Sequence, residues 1–121
     1  MTLLLVMLGG ALGAAARFLV DRAVSARLPR AIPLGTLCVN VAGSFALGLA
    51  AGAFTTSSAA YAVLATGVCG AFTTWSTLAV EVVDLLRARP WLAVGYLALT
   101  LVAGVALAFI GLVISGALPA P

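Results

Sequence analysis

Four long apolar stretches, joined by short segments that hold nearly all of the charge, constrain this chain more than any other feature. They cover about residues 2–20, 33–54, 59–86 and 90–115. A helix needs about 20 mainly apolar residues to cross the hydrocarbon core of a bilayer. Only 7% of the 121 residues are charged and the mean hydropathy is +1.29, whereas soluble domains carry roughly 25% charged residues. The sequence therefore predicts an all-α integral membrane protein with one four-span domain, residues 1–121.

The third apolar stretch contains a polar cluster that has no role on a helix facing lipid. Residues 67–77 read Gly-Val-Cys-Gly-Ala-Phe-Thr-Thr-Trp-Ser-Thr. Glycine is a poor helix former, and Ser and Thr compete with the helix by bonding to nearby backbone. Non-helical backbone at membrane depth is tolerated only where it is buried in protein or lines a watery cavity. We predict either a third helix broken near its middle, whose free carbonyls can hold an ion, or a small-residue packing face.

Polar residues also occupy one face of the second and fourth spans. Asn40 lies about seven residues into its span, too deep for the interface at ~1.5 Å per residue, and a buried amide needs a partner. It shares a helix face with Thr36 and Ser44, and Tyr96 shares one with Thr100. These side chains either join helices by hydrogen bonds or line an ion path. Tyr96 is alternatively an aromatic residue of the membrane interface.

The first span carries glycines and a single arginine. Gly9 and Gly13 are four residues apart, which predicts a close helix contact on one face. No positive segment precedes the apolar run, so we interpret it as a retained helix and not a cleaved signal. Arg17 either reaches the interface or binds a polar partner within the protein. Cys38 and Cys69 fall inside apolar spans and are interpreted as small core residues.

The arginines predict the orientation of the chain in the membrane. All of them lie in or beside the first and third loops, at Arg17, Arg22, Arg27, Arg30, Arg87 and Arg89. The positive-inside rule then places these loops in the cytoplasm and both termini outside, in a multi-pass protein of the cell membrane. In this position they indicate topology and not a nucleic-acid site. We expect Glu81 and Asp84 to be interfacial and solvated, with an arginine such as Arg17 as the alternative partner of Glu81.

The titratable residues argue against catalysis. The chain has no Lys or His and only three Asp and Glu residues, which leaves little for acid–base or metal-centred chemistry. We therefore predict that the protein is not an enzyme.

Three motifs, in this order, resemble the CrcB/Fluc family of small four-helix fluoride channels. They are Gly9-Gly10-Ala11-Leu12-Gly13 followed by Arg17-Phe18, then Gly-Thr-Leu-Cys-Val-Asn-Val-Ala-Gly-Ser-Phe at 35–45, and Gly-Ala-Phe-Thr-Thr-Trp-Ser-Thr at 70–77. The resemblance covers about residues 9–100. It implies a passive fluoride-selective channel that exports fluoride from the cytoplasm and relieves fluoride toxicity. It also implies an antiparallel dimer with two pores along the subunit interface.

The resemblance also implies residue roles. The backbone carbonyls of Gly70 and Thr73 would hold a central sodium ion that is structural and not transported, and Asn40 would donate to fluoride. The rest of the fluoride path would consist of Thr74, Trp75, Ser76, Thr77, Leu78, Tyr96 and Thr100. Arg17, Gly9 and Gly13 would be structural.

This sequence departs from the family pattern in three ways. Trp75 and Leu78 stand where the family has two pore phenylalanines, and Gly104 stands where it has a serine. An indole keeps a positive aromatic edge and adds an N–H donor, whereas leucine has neither. The third departure is the arginine bias, because an antiparallel homodimer needs a chain that inserts both ways. We therefore expect a heterodimer with a second homologous subunit of opposite orientation, with a homodimer as the alternative.

Two rival functions fit a chain of this size. A proton-coupled small multidrug exporter also has four spans, but it needs a membrane-embedded carboxylate. The first span has none, and Glu81 lies near the end of the third. The other rival is a non-conducting partner or scaffold subunit, in which the glycines and hydroxyls only pack helices.

Overall fold

The computed structural model of the protein describes residues 1–28 and 32–117, and these residues are helical apart from short connections. Four spans in this part of the chain are long and apolar enough to cross a membrane: Thr2–Arg27, Leu34–Ala53, Ala59–Ala88 and Pro90–Gly116. The predicted all-α architecture with a broken third span is confirmed. Arg30 and the tail after residue 117 lie outside the described residues.

Helix α1 (Thr2–Arg27) continues well past the apolar stretch that ends near residue 20. The residues from Asp21 to Arg27 are polar enough to leave the membrane, but none of them breaks a helix. The helix ends at Leu28, which is extended with φ −111° and ψ 156°. Leu28 precedes Pro29 in the sequence, and a following proline disfavours the helical conformation. Much of the predicted first loop is therefore a helical extension beyond the apolar span.

The third span is assembled from four pieces. Helix α3 (Ala59–Tyr61), a π-helical segment (Ala62–Cys69) and helix α4 (Gly70–Phe72) follow one another directly, and α5 (Ser76–Ala88) begins after a gap. The hydroxyl of Ser58 caps the start by accepting from the Tyr61 N–H at 3.1 Å. The break occupies residues 73–75, at the C-terminal end of the predicted polar cluster.

Close approach of α1 to the π-helical segment depends on glycine. A Cβ atom at Gly9 would meet the carbonyl oxygen of Val63, and one at Gly13 would meet that of Val68. Gly67 faces α1 in return, against the carbonyl of Val6. Small residues let helix backbones approach where no hydrophobic force drives association in lipid. This contact places α1, and Arg17 on it, next to the break.

Helices α2 (Leu34–Ala53) and α6 (Pro90–Ala117) form the other extensive packing interface. Gly48 and Gly111 let the two backbones approach closely, because a Cβ at Gly48 would meet the carbonyl of Ala108. Large apolar side chains instead point outward along the spans, among them Leu4, Leu8 and Val102. Such an exterior suits lipid and not water. Several polar side chains of the spans, among them Thr36, Thr74 and Thr100, are buried at the helix contacts.

Candidate functional site

The break in the third span places a short extended segment among packed helices. Thr73 has φ −75° and ψ 158°, outside the helical region. Its hydroxyl donates back to the Cys69 carbonyl at 3.0 Å, and such bonds compete with the regular helical pattern. The Thr73 N–H still donates to the Cys69 carbonyl at 3.1 Å, whereas the Thr73 carbonyl and both backbone groups of Thr74 leave the helical ladder and need partners from other helices.

Asn40 of α2 supplies two of these partners. Its Nδ2 donates to the Thr74 carbonyl at 3.0 Å, and its Oδ1 accepts from the Thr74 N–H at 2.7 Å. The side-chain amide thus replaces the helical bonds that Thr74 lacks. A carboxamide carries two N–H hydrogens, so one hydrogen of Asn40 is left for another acceptor.

Arg17 of α1 binds the other carbonyl of the break. Its Nη1 donates to the Thr73 carbonyl oxygen at 3.3 Å, and the side chain is half-buried. Of the two sequence interpretations, the structure therefore supports a polar partner within the protein. The guanidinium brings a fixed positive charge to the middle of the break.

Within the break, the hydroxyl of Thr74 caps the start of helix α5. It accepts from the Thr77 N–H at 3.3 Å and lies 3.5 Å from the Ser76 hydroxyl. A side-chain oxygen placed in this way caps the first turn of a helix. Ser76 and Thr77 are themselves exposed, whereas Thr74 is buried.

A groove of about 300 Å³ lies beside the break, between α2, the third span and α6. It brings together most of the residues that were predicted from the sequence for the ion path and the sodium site. Its lining includes Asn40, Gly70, Thr73, Thr74, Trp75, Leu78 and Thr100, together with Ser44, Cys69 and Gly104. The remainder of the wall is aliphatic.

Two groove residues differ sharply in exposure. Trp75 is 72% exposed, while Leu78 is buried at 3%. The indole therefore projects from the protomer beside the groove, and the Leu78 side chain is packed inside the protomer. Gly104 faces Ser44, whose hydroxyl would be in van der Waals contact with an added Cβ, at 3.4 Å.

A second cavity of about 360 Å³ reaches the break from the side of α1. It is lined by Arg17, Asp21, Thr36 and Thr77, and by Thr74, which also lines the groove. Of the polar residues predicted for one path, most are divided between these two cavities, whereas Ser76 and Tyr96 line neither. Thr74 lies on the wall that both cavities share.

Tyr96 and Glu81 form a separate polar cluster with Thr36. The Tyr96 hydroxyl lies 3.3 Å from both the Glu81 carboxylate and the Pro33 carbonyl. The Thr36 hydroxyl donates to Glu81 at 2.9 Å. Tyr96 is only 2% exposed, so it is not an interfacial belt residue. Its hydroxyl is directed to Glu81 and not toward Asn40.

The expectation that Glu81 is simply solvated was wrong. Its carboxylate is half-buried and accepts hydrogen bonds from helices α2 and α6. One signal in the sequence could have indicated this. Glu81 and Tyr96 stand about two helical turns on either side of Arg89, so that an antiparallel hairpin brings them level.

Comparison with known proteins extends these observations. The family described as CrcB-like protein, Camphor Resistance (CrcB), matches residues 4–112. A protein of Rhodococcus jostii (strain RHA1), named fluoride-specific ion channel FluC 2, is 50% identical over 112 residues, which are 92% of this chain and 96% of that protein. Fluoride-specific ion channel FluC 1 of Geobacillus kaustophilus (strain HTA426) is 50% identical over 109 residues, 89% of this chain and 92% of that protein. The family match over most of the sequence, with relatives at half identity along nearly their whole length, shows that this four-span membrane protein belongs to the CrcB-like family.

Proposed function

We propose that the protein is a subunit of a fluoride-selective ion channel. The observation that carries the proposal is the groove beside the broken third span, where an amide and several hydroxyls lie within an otherwise aliphatic wall. The relatives named as fluoride-specific ion channels, at 50% identity, support the same ion. Ion channels conduct and do not catalyse, which agrees with the lack of catalytic residues in the sequence.

Conduction of fluoride requires hydrogen-bond donors that replace its water shell. In this groove the donors are the remaining Asn40 hydrogen, the indole N–H of Trp75 and the hydroxyl of Thr74. The Thr100 hydroxyl donates to the Tyr96 carbonyl at rest and must rotate before it can donate to an ion. The neighbouring Ser76 and Thr77 lie in the first turn of helix α5. Because a polar or charged group is costly to bury without such partners, the aliphatic wall disfavours an anion that the donors cannot hold tightly.

The direction of flow follows from passive conduction. Hydrogen fluoride is a weak acid that enters from an acidic exterior and dissociates in the cytoplasm. A negative membrane potential then drives the anion outward, at about 2.3 kcal/mol per charge for each 100 mV. The channel therefore exports fluoride from the cytoplasm and relieves its toxicity without an energy source of its own.

Sodium is the ion that we propose for the break, as a structural and not a transported ion. Backbone carbonyls are hard oxygen donors, which suit sodium, and the extended conformation of Thr73 takes its carbonyl out of the helical ladder. A Cβ at Gly70 would meet nothing within 4 Å, so this residue faces open space where a second subunit can contribute ligands. The Thr73 carbonyl also accepts from Arg17, but a carbonyl oxygen has two lone pairs. The donor set fits sodium, with a positive charge beside it.

A second subunit is the partner that we propose for the open side of the groove. Trp75 is largely exposed there, although an indole in lipid leaves its N–H without an acceptor. The arginines of the first and third loops favour one orientation, with both termini outside the cell membrane. An antiparallel assembly then requires a homologous chain of the opposite bias, so we propose a heterodimer.

The first rival, a proton-coupled exporter, depends on Glu81. This carboxylate is bound by Thr36 and Tyr96, away from Asn40. The Glu81→Gln variant separates the two functions, because an exporter loses its coupling and a channel keeps conducting. The second rival, a scaffold subunit, predicts that Thr100→Val leaves fluoride tolerance and flux unchanged.

Fluoride efflux from liposomes tests the proposal. The chain is reconstituted alone and with an oppositely biased homologue, and release of fluoride and of chloride is measured after adding a potassium ionophore. We expect fluoride release, no chloride release, and a loss of rate in Thr100→Val, which removes a groove hydroxyl at nearly constant volume. Val102→Ala, on the outward face, is the matched control. Absence of fluoride release from both preparations would refute the proposal.

A further inference from the structure

We propose that Arg17 is a tethered cation that holds the Thr73 carbonyl in competition with sodium, and that Asp21 receives the guanidinium when sodium binds. This inference rests on the sodium ion of the proposed function and assigns to two residues of this chain a control over it. Arg17 is thereby a positioning residue of the break and not part of the fluoride path.

The first observation is the contact itself. Arg17 Nη1 lies 3.3 Å from the Thr73 carbonyl oxygen, the oxygen that would also be a sodium ligand. A guanidinium is charged at all accessible pH values. Two positive charges that share one carbonyl repel each other, and the repulsion is stronger in a membrane protein than in water because the effective dielectric constant is lower. The guanidinium and the ion therefore weaken each other at this oxygen.

The second observation is an alternative partner for the guanidinium. Asp21 lines the same cavity as Arg17, and these are its two charged wall residues. They are four residues apart on α1, which is the spacing of neighbours on one helical face. A rotation of the Arg17 side chain within this cavity of about 360 Å³ exchanges the carbonyl for the carboxylate. Arg17 need not leave the protein to release Thr73.

The third observation is the absence of another tether for this carbonyl among the contacts around the break. Asn40 binds both backbone groups of Thr74, and the Thr73 hydroxyl is directed to Cys69. Arg17 therefore acts on Thr73 alone. Without sodium it keeps an otherwise uncompensated carbonyl satisfied, and with sodium it raises the concentration at which the ion binds.

The test is the melting midpoint of the purified protein as a function of sodium, with choline replacing sodium at constant ionic strength. Ligand that binds only the folded state raises stability according to its dissociation constant. We expect Arg17→Gln to respond to about tenfold less sodium than the unmodified protein, as removal of an adjacent like charge requires. The melting midpoint of Asp21→Asn should rise only at higher sodium concentrations than that of the unmodified protein, because the guanidinium then has no alternative partner. Arg22→Gln, which removes an equal charge from an exposed position over the Phe18 ring, should leave the response unchanged.

Several results would overturn the inference. One is a melting response to sodium in Arg17→Gln that equals that of the unmodified protein. The others are a lower sodium requirement in Asp21→Asn than in the unmodified protein, or a shift in Arg22→Gln as large as the shift in Arg17→Gln. An Arg17→Gln protein that cannot be recovered at any sodium concentration would also contradict it, because sodium should replace the guanidinium. Fluoride efflux is measured on the same preparations. If the unmodified protein conducts fluoride but its stability ignores sodium, the inference fails and the channel function stands.

Discussion

Replacing Asn40 with alanine should release the break in the third span. The substitution removes the bonds of 3.0 Å and 2.7 Å that the side chain makes with the backbone of Thr74. Thr74 is only 8% exposed, so its N–H and C=O would lose partners without gaining free access to water. Leaving a buried polar group unsatisfied costs about 1–3 kcal/mol, and two such groups cost about 2–6 kcal/mol. Hydrogen bonds measured within membrane proteins are often weaker, with an average of about 0.6 kcal/mol, so we expect about 3 kcal/mol.

Hydrogen exchange at the Thr74 amide measures this effect directly. A loss of about 3 kcal/mol corresponds to roughly a hundredfold faster exchange, since 1.4 kcal/mol is a factor of ten. Ser44→Ala is the matched control, because Ser44 lies on the same helix face and its hydroxyl donates only to the Asn40 carbonyl of its own helix, at 2.8 Å. Equal exchange at Thr74 in the Asn40→Ala and Ser44→Ala proteins would refute the reasoning.

A carboxyl at the same position gives an independent test. In Asn40→Asp, one oxygen can still accept from the Thr74 N–H, but an ionised carboxylate places its other oxygen against the Thr74 carbonyl. A protonated carboxyl restores the missing donor. We therefore expect the protection factor of the Thr74 amide, which corrects the exchange rate for its intrinsic pH dependence, to rise on acidification in this variant and to be independent of pH in Asn40→Ala. If the protection factor of Thr74 did not change with pH in Asn40→Asp, the donor to the Thr74 carbonyl would be unimportant.

Three further substitutions test other parts of the structure. Glu81→Ala should lower the free energy of unfolding by about 1–3 kcal/mol, because the buried Thr36 hydroxyl loses its acceptor while that of Tyr96 keeps the Pro33 carbonyl; thermal melting of Glu81→Gln, which keeps one acceptor oxygen, should show a smaller loss. Gly13→Ala should destabilise the protein by about 1–3 kcal/mol through overpacking, whereas Gly10→Ala, whose Cβ meets only another Cβ at 3.9 Å, should melt at or above the original temperature. Trp75→Ala should change the melting of the isolated subunit little, since exposed positions are usually within about 0.5 kcal/mol, yet reduce fluoride efflux; unchanged efflux would remove Trp75 from the path.

The sequence predicted the break because its cause is local. Glycines and hydroxyl residues weaken a helix wherever they occur, so their concentration within residues 67–77 was sufficient to place the break in the third span. The position within that range was not predictable in the same way. Cys69 and Gly70 remain helical, and the chain leaves the helix at Thr73. There Arg17 donates to the Thr73 carbonyl and Asn40 pairs with both backbone groups of Thr74. Those partners come from other helices, and no local propensity contains them.

The hydrogen bonds of Glu81 also could not be predicted from local sequence. Its place near the end of an apolar span predicted solvation, because a carboxylate there can usually reach water. The structure instead directs the hydroxyls of Thr36 and Tyr96 onto it. This outcome depends on the register of three helices, which periodicity alone does not determine. Arg17 shows the same limit, because its sequence context is compatible both with the membrane interface and with a partner inside the protein, and tertiary packing against the break decides between them.

The hydroxyls of the groove have a consequence for how an anion would be discriminated. Ser44, Thr73 and Thr100 each donate to a carbonyl one turn back on their own helix, at 2.8, 3.0 and 2.9 Å. At rest these three side chains therefore offer lone pairs to the groove, and their protons are held elsewhere. An ion gains such a proton only by taking it from a carbonyl, through rotation about one side-chain bond. A small, strongly basic halide can compete with the carbonyl for the hydroxyl proton, and a larger, weaker acceptor cannot. The groove would therefore select anions by their strength as hydrogen-bond acceptors as well as by their size.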